Sequence, residues 1–354
     1  MYIQKLKLEN FRNYENQEIE FDKNVNIIYG DNAQGKTNIL ESIFICSLGK
    51  SFRTNKEKEL INKEKNFAKI EMISFKEDRN IKINFELNEK KKFNINGIPV
   101  KRTSDILGKN YIVLFTPEDI SILKNEPSKR RRFLNIMISQ LRPMYVHLLN
   151  QYNKTIEQRN IYLKQIKYEG KPISNLEIWD EQIVELGTKI YEYRKEFIEK
   201  INDKIFDIHL KTTENKEKIK VKYISNIGKN YLESLKKNKN NDIQKGYTQI
   251  GIHRDDFEIY INDNPVSIYG SQGQKRTTII SLKLAEANVI YDEIGERPVI
   301  LLDDFMSELD KKRIQGLFEN IKENQVIITC TDSFKISNTK YKLYKITNAT
   351  IECI

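Results

Sequence analysis

Several features are scarce or missing in this chain of 354 residues, and each absence removes a class of protein. The three cysteines, Cys46, Cys330 and Cys353, are odd in number and form no C-x-x-C pair, which points to a reduced, cytosolic protein rather than a disulfide scaffold. No apolar run approaches the ~20 residues of a membrane span. The start, Met1 to Leu6, has no apolar h-region, so no secretion signal is expected. No internal repeat is visible. What is present suits a packed interior and a charged exterior. Hydrophobic residues make up 39%, aromatics 10% and charged residues 31%, with a mean hydropathy of -0.62. The length allows one large domain or two ordinary ones. A net charge of +10 and an isoelectric point near 9.1 fit a polyanion partner such as nucleic acid. An AT-rich coding sequence, with Lys, Asn and Ile abundant together, would give the same balance.

The most informative string is Gly30-Asp31-Asn32-Ala33-Gln34-Gly35-Lys36-Thr37, which reads G-x-x-x-x-G-K-T, the phosphate-cradling P-loop. The apolar run Val25 to Tyr29 precedes it as a buried strand would, and Asn38 to Phe44 follows with helical spacing. Backbone N–H groups and a helix N-terminus would form the anion site, Lys36 would reach the outer phosphates, and Thr37 would hold Mg2+.

The first ~115 residues alternate as strands do, over Tyr2–Leu8, Ile19–Phe21, Ala68–Phe75, Ile81–Leu87 and Tyr111–Phe115. Asn96-Gly97 suggests a hairpin turn. From Ser128 the pattern changes. Leu134, Ile138, Leu141, Tyr145, Leu148 and Tyr152 step by four and three, as do Trp179, Ile183, Leu186, Ile190, Tyr193 and Phe197. Gly170-Lys171-Pro172 between them suggests an antiparallel helical pair, with Pro143 kinking the first helix. The polar run Lys236 to Asp242 reads as an exposed loop. Strand character returns after Tyr247, and the continuous apolar runs Val299–Leu302 and Val326–Ile328 suit a buried parallel sheet. The expected organisation is an α/β P-loop lobe I from residues 1–117 and 245–354, with a helical lobe II inserted at residues 118–244.

A P-loop needs an acidic partner on a neighbouring strand. Leu301-Leu302-Asp303-Asp304 supplies it: Asp303 to hold Mg2+ through water, Asp304 to polarise an attacking water. Ser271-Gln272-Gly273-Gln274 at the start of an apolar helix is a second phosphate-binding arrangement of hydroxyl, glycine and helix dipole. One chain has no use for two opposed γ-phosphate sites, whereas two chains related by a two-fold axis would place ATP between them.

The order of P-loop, S-Q-G-Q helix, L-L-D-D strand and Ser307-Glu308-Leu309-Asp310 resembles the ABC-type ATPase heads of the SMC group, and more closely the RecF family of bacterial recombination proteins. The matching strings span nearly the whole chain. They include Leu8 to Tyr14 (L-E-N-F-R-N-Y), Leu114 to Asp119 with Lys129 to Leu134, Gly251 to Asp256 (G-I-H-R-D-D), and Gly270 to Arg276. The resemblance implies an ABC/SMC-type head without a long coiled coil, acting as a slow, DNA-dependent ATPase that uses ATP and Mg2+ as a switch. It implies an ATP-dependent homodimer that binds DNA at single-/double-strand gap junctions. With RecR and RecO it would help load RecA, serving repair, replication restart and the SOS response. The protein would be cytoplasmic and nucleoid-associated, with no membrane partner.

The resemblance also implies nucleotide contacts from Arg12 and Asn13. His253 reads equally well as a functional residue or as a satisfied polar one. Lys129-Arg130-Arg131-Arg132, four cations opposing a helix dipole, reads as a DNA phosphate contact against the alternative of a solvated face. Two departures from transporter-type ABC proteins stand out. Asp304 replaces the usual catalytic glutamate, and Thr331 replaces the histidine expected after the last strand; no Q-loop glutamine precedes the helical lobe. An SMC-like tether would need a coiled coil of several hundred residues, whereas the P-loop and Ser271 are only about 240 apart. A head fused to a nuclease would need an acidic module after the last strand, and only about 20 residues follow it. A transporter ATPase is opposed by the missing histidine. An ABC-type head acting as an ATP-gated scaffold for a different protein partner is the remaining alternative.

Overall fold

A computed structural model describes residues 1–124, 126–214, 216–334 and 340–354. The chain forms two compact units. Unit 1 comprises Met1–Ile120, Lys211–Asn215 and Arg276–Ile354, and unit 2 comprises Ser121–Leu210 and Lys216–Lys275. The chain returns to unit 1 at Arg276 rather than at residue 245, because the strand Asp256–Ile261 pairs with Ile219–Ile224, and Arg130 bonds Asp256 at 2.7 Å.

Unit 1 holds two six-stranded sheets. The first is antiparallel, in the order Tyr14–Glu20, Tyr2–Phe11, Ala68–Lys76, Arg79–Leu87, Lys91–Ile95, Ile98–Pro99. Its strands alternate buried and exposed residues, as a sheet with one covered face requires. Asn96 and Gly97, at φ 52° and 82°, make the expected hairpin turn, a backbone that favours asparagine and glycine. The second sheet runs Thr350–Cys353, Tyr341–Thr347, Val25–Tyr29, Val326–Cys330, Val299–Asp303, Ile112–Phe115. All its pairings are parallel except the terminal hairpin. Every residue of Val299–Asp303 and Val326–Cys330 is buried, which explains their unbroken apolar sequences. The carboxyl ends of three of these strands converge beside the helix Lys36–Leu48, the position where open α/β sheets bind ligands.

Unit 2 is mostly helical. Pro143 does not kink one helix but separates two, Pro127–Leu141 and Pro143–Glu169. Arg142, pushed out of the helical region by the proline after it, has φ -134° and ψ 82°, and Pro143 takes the N1 position where its missing N–H costs nothing. Gly170, at φ 68°, caps the second helix, and Leu176–Thr212 returns antiparallel to it. The pairing descends through Tyr145 against Tyr193, Arg159 against Asp180, and Tyr162 stacked on Trp179. The expected loop at Lys236 to Asp242 is instead part of a helix, Tyr231–Lys245. Asn230 caps it by accepting from the Glu233 N–H at 3.1 Å, Gly246 ends it, and buried Tyr231 and Leu235 anchor one face while the lysines take the other. Its polar composition reflects a half-exposed helix rather than a loop. Among the described residues no helix is long and apolar enough to cross a membrane, and all three cysteines are free.

Candidate nucleotide site and the buried arginine networks

The P-loop leaves its strand at Gly30 (φ 156°) and enters the helix at Gly35 (φ 111°), both in backbone that side chains resist. A Cβ on Gly30 would lie 2.5 Å from the Ile346 carbonyl oxygen, and one on Gly35 would lie 2.6 Å from the Asn13 amide. The Lys36 ammonium, 4% exposed, donates to the carbonyls of Gly30 at 2.6 Å and Asp31 at 3.0 Å. It thus lies across the mouth of its own loop, as a cation suited to phosphate oxygens. The remaining loop members, Asn32, Ala33 and Gln34, complete the turn, with Ala33 at φ 64°.

The acidic strand sits one strand away from the P-loop strand, with Val326–Cys330 between them. Thr329 on that middle strand bridges the two, its hydroxyl 2.8 Å from Asp303 Oδ1, and the Thr37 hydroxyl donates to the same oxygen at 2.8 Å. Burial pushes the Asp303 carboxyl up and these two hydroxyls pull it back. A hydroxyl and a carboxylate so placed could hold Mg2+, an ion usually bound by one or two protein oxygens plus substrate phosphates. Among the described residues no group of three or more metal-binding side chains forms a protein-only cage. Asp304 sits in the left-handed region at φ 47°, its N–H held by Thr329 through the carbonyl at 3.2 Å and the hydroxyl at 3.0 Å. That turn re-aims the second carboxylate away from the line of the strand.

The string Asn10 to Tyr14 braces this loop. The Asn13 amide donates to the Gln34 carbonyl at 2.9 Å and accepts from Asn38 at 2.7 Å, while the Tyr14 hydroxyl donates to the Gly35 carbonyl at 3.1 Å. The Gln34 side chain accepts from the Asn348 N–H at 2.6 Å. Arg12 is placed differently from its expected nucleotide role. Its guanidinium is bidentate to fully buried Glu41, at 2.7 and 2.9 Å, inside the helix that the P-loop starts. Ser51 donates to the same carboxylate at 2.5 Å. Arg12 therefore positions the helix, compensating a carboxylate that would be costly to bury alone.

In unit 2, Ser271 and Gln274 form a reciprocal capping box at the start of Gln272–Ile294. Ser271 N–H donates to Gln274 Oε1 at 2.9 Å, and Gln274 N–H donates to Ser271 Oγ at 3.1 Å. Gln274 also donates to Glu217 at 2.9 Å. Ser271 and Gln272 are exposed, and Gly273 is half-buried. The S-x-x-Q spacing carries this box legibly.

The RecF/RecN/SMC N terminal domain model matches residues 2–353. The chain is 43% identical to the DNA replication and repair protein RecF of Clostridium tetani, covering 100% of both chains. The protein of the same name from Acetivibrio thermocellus is also 43% identical, over 96% of both.

The chain belongs to the RecF family.

Solved structures agree. The recombination mediator protein RecF with ATPrS in the RecFOR pathway superposes with a TM-score of 0.93 at 37% identity, covering 100% of this chain and 98% of that one. RecF with ATP gives 0.92 at the same identity, covering 97% of that chain. The Smc head domain of Pyrococcus furiosus, at 18% identity and a TM-score of 0.59, shares the fold. This RecF-family chain thus has the ABC/SMC-type ATPase head fold.

In two family strings some residues are engaged in packing. In Lys129-Arg130-Arg131-Arg132, Arg130 is buried and bidentate to Asp256, and also donates to the Ile122 and Lys124 carbonyls, at 3.0 and 2.5 Å. It is corrected from a DNA contact to a packing residue, because its guanidinium is already fully engaged. Arg131 donates to the Asp255 carbonyl at 2.8 Å, while Lys129 is half-buried and Arg132 is exposed.

Buried Asp255, within Gly251 to Asp256, centres a polar hub, while Arg254 of the same string is exposed. Asp255 accepts from Arg194 at 3.3 Å and from the hydroxyls of Tyr223 and Ser225. Arg194 donates further to the Ile252 carbonyl at 2.6 Å, the Tyr145 hydroxyl at 3.0 Å and Asn135 at 3.1 Å. His253 bonds the Thr248 carbonyl through Nε2 at 3.0 Å and the Tyr152 hydroxyl through Nδ1 at 2.9 Å. Burial lowers its pKa to about 4, so it is a neutral, satisfied residue. A second buried arginine, Arg159, joins Asp180 at 2.7 Å and Asp242 at 2.8 Å. Sequence reasoning missed both networks, since arginines within amphipathic stripes look like surface charges.

Proposed function

We propose that this chain is an ATP-switched DNA-binding protein of recombinational repair. It binds single- and double-stranded DNA at gaps as an ATP-sandwiched dimer. With RecO and RecR it helps load RecA, in the cytoplasm and at the nucleoid, supporting replication restart and the SOS response. The observation that carries the reading is the meeting of Lys36, Thr37 and Asp303 at one strand-end crevice. The full-length likeness to proteins named for DNA replication and repair supports it.

In this reading the P-loop backbone and Lys36 hold the triphosphate, and Thr37 and Asp303 hold Mg2+. Bound Mg2+ supplies charge neutralisation between the outer phosphates. The exposed Ser271 helix N-terminus of a second chain, with Gln272, Gly273 and Gln274, closes over the γ-phosphate. Asp304 orients the attacking water, and its short side chain makes turnover slow, so that ATP acts as a switch; hydrolysis is coupled to DNA binding.

The test is binding to a gapped duplex by fluorescence anisotropy, with ATP and Mg2+ against ADP at fixed salt, paired with light scattering for dimerisation. Tighter binding and dimerisation with ATP support the switch. Ser271→Arg should keep ATP binding and lose the dimer, while Asp304→Asn should bind and dimerise but not turn over. Equal DNA affinity in both nucleotide states overturns the gated clamp and directs the ATP site to a protein partner.

A further inference from the structure

We propose that the outer face of the strand Ile219–Ile224 in unit 2, together with Phe206, binds single-stranded DNA. The inference rests on the DNA-binding reading above and supplies its location.

Along this strand Lys218, Lys220 and Lys222 point outward while Ile219 and Val221 are buried. Residues two apart on a strand are separated by about 7 Å, comparable with neighbouring phosphates on one nucleic-acid strand. None of the three lysines has an ion pair among the described residues. The two carboxylates across the pairing are otherwise engaged: Glu258, opposite Lys222, accepts from Tyr260 at 2.8 Å and Ser267 at 3.2 Å, and Asp256 is held by Arg130. Some strand lysines elsewhere are neutralised, Lys82 by Glu71 at 2.8 Å and Lys91 by Glu57 at 2.7 Å.

Lysines also guard edge strands against unwanted pairing, and this strand is an edge of its sheet. Here that guard is supplied otherwise. The Asn202 side chain accepts from the Val221 N–H and donates to the Val221 carbonyl, both at 2.8 Å, occupying the free edge. Beside it lies an open cavity of about 590 Å³, lined by Phe206, Lys218, Lys220, Tyr260 and Asp263 among others. Phe206 is 38% exposed on the helix Leu176–Thr212. Proteins hold single strands with cations that track the phosphates and aromatic rings that receive bases a duplex keeps stacked, and here the basic row flanks one exposed ring, Phe206. The single Asp263 leaves the cationic balance intact.

The experiment measures anisotropy of a fluorescein-labelled 15-mer of deoxythymidine and of a duplex of equal length, with ATP and Mg2+ present, across a salt series. The triple variant K218E/K220E/K222E keeps the edge charged but reverses its sign. It should weaken 15-mer binding at least tenfold and shallow the salt slope by about two, from three lost phosphate contacts. Phe206→Ala should weaken the 15-mer about tenfold and the duplex less than twofold. It also decides the matter if the triple variant fails to fold. ATP binding and ATP-dependent dimerisation, both measured without DNA, should be unchanged in both variants. Wild-type 15-mer affinity and slope in both variants overturn the proposal, as does loss of an acidic protein partner with DNA binding retained. Loss of 15-mer binding in the variants, with no ATP dependence in the wild type, would uphold this site while refuting the switch.

Discussion

The nucleotide loop of unit 1 and the polar core of unit 2 use charge in opposite ways. In unit 1 the P-loop is braced by side chains from Asn13, Tyr14 and Gln34. Lys36 lies at the loop mouth, held by the carbonyls of Gly30 and Asp31 rather than by a carboxylate. In unit 2, Arg130, Arg159 and Arg194 are buried against fixed carboxylates; Arg130 and Arg194 have every guanidinium nitrogen engaged, while Arg159 keeps one buried nitrogen, Nη2, without a hydrogen-bond partner. A basic residue near a motif is thus a ligand candidate only where its partners are exchangeable.

The largest effect should come from breaking a fixed network. Arg194→Ala leaves Asp255 buried without its cation and should cost about 3–5 kcal/mol in urea unfolding, with little change in nucleotide affinity per folded molecule. A smaller loss would mean that Tyr223 and Ser225 suffice for Asp255.

A pH series probes the same core. His253 stays neutral in the fold down to about pH 4, whereas in the unfolded chain it takes a proton near its ordinary value of 6.5. Stability from this residue is therefore intact above pH 6.5 and falls as pH drops towards 4, by up to about 3 kcal/mol. The stability difference between wild type and His253→Gln, followed by chemical denaturation from pH 8 to 4, should shift in the variant's favour as pH falls. A pH-independent difference would contradict the buried neutral ring.

Unit 1 should respond in binding rather than folding. Lys36→Ala should weaken ATP about a hundredfold, near 2.7 kcal/mol, by calorimetric titration, with unfolding within ~1 kcal/mol of wild type because the lost bonds are to carbonyls that water can serve. The smallest effect should be Asn13→Ala, which unbraces Gln34 and Asn38 at a cost of ~1 kcal/mol and weakens ATP several-fold. If Asn13→Ala matches Lys36→Ala in affinity, Asn13 touches nucleotide directly, as its place in the family string implies.

The sequence exposed unit 1 well because its features are local. Glycine spacing, an apolar strand ending in Asp303-Asp304 and the Asn96-Gly97 turn each arise within a few residues. The capping box of Ser271 and Gln274 was equally legible at three residues' separation, although phosphate binding was the reading given to it. The helix Tyr231–Lys245 was missed because its lysines mask a narrow buried face. Arg130 was misread because its partner lies 126 residues away, and no pattern within a helix announces such a partner.

By itself, then, the sequence determined the P-loop, the acidic strand, the helical insertion and the family. Backbone conformation and hydrophobic period encode these directly. Only the tertiary structure decided which charges are buried and which remain open. Whether an arginine or lysine is engaged depends on the carboxylates that folding brings beside it, and burial in low dielectric makes those pairings all or none.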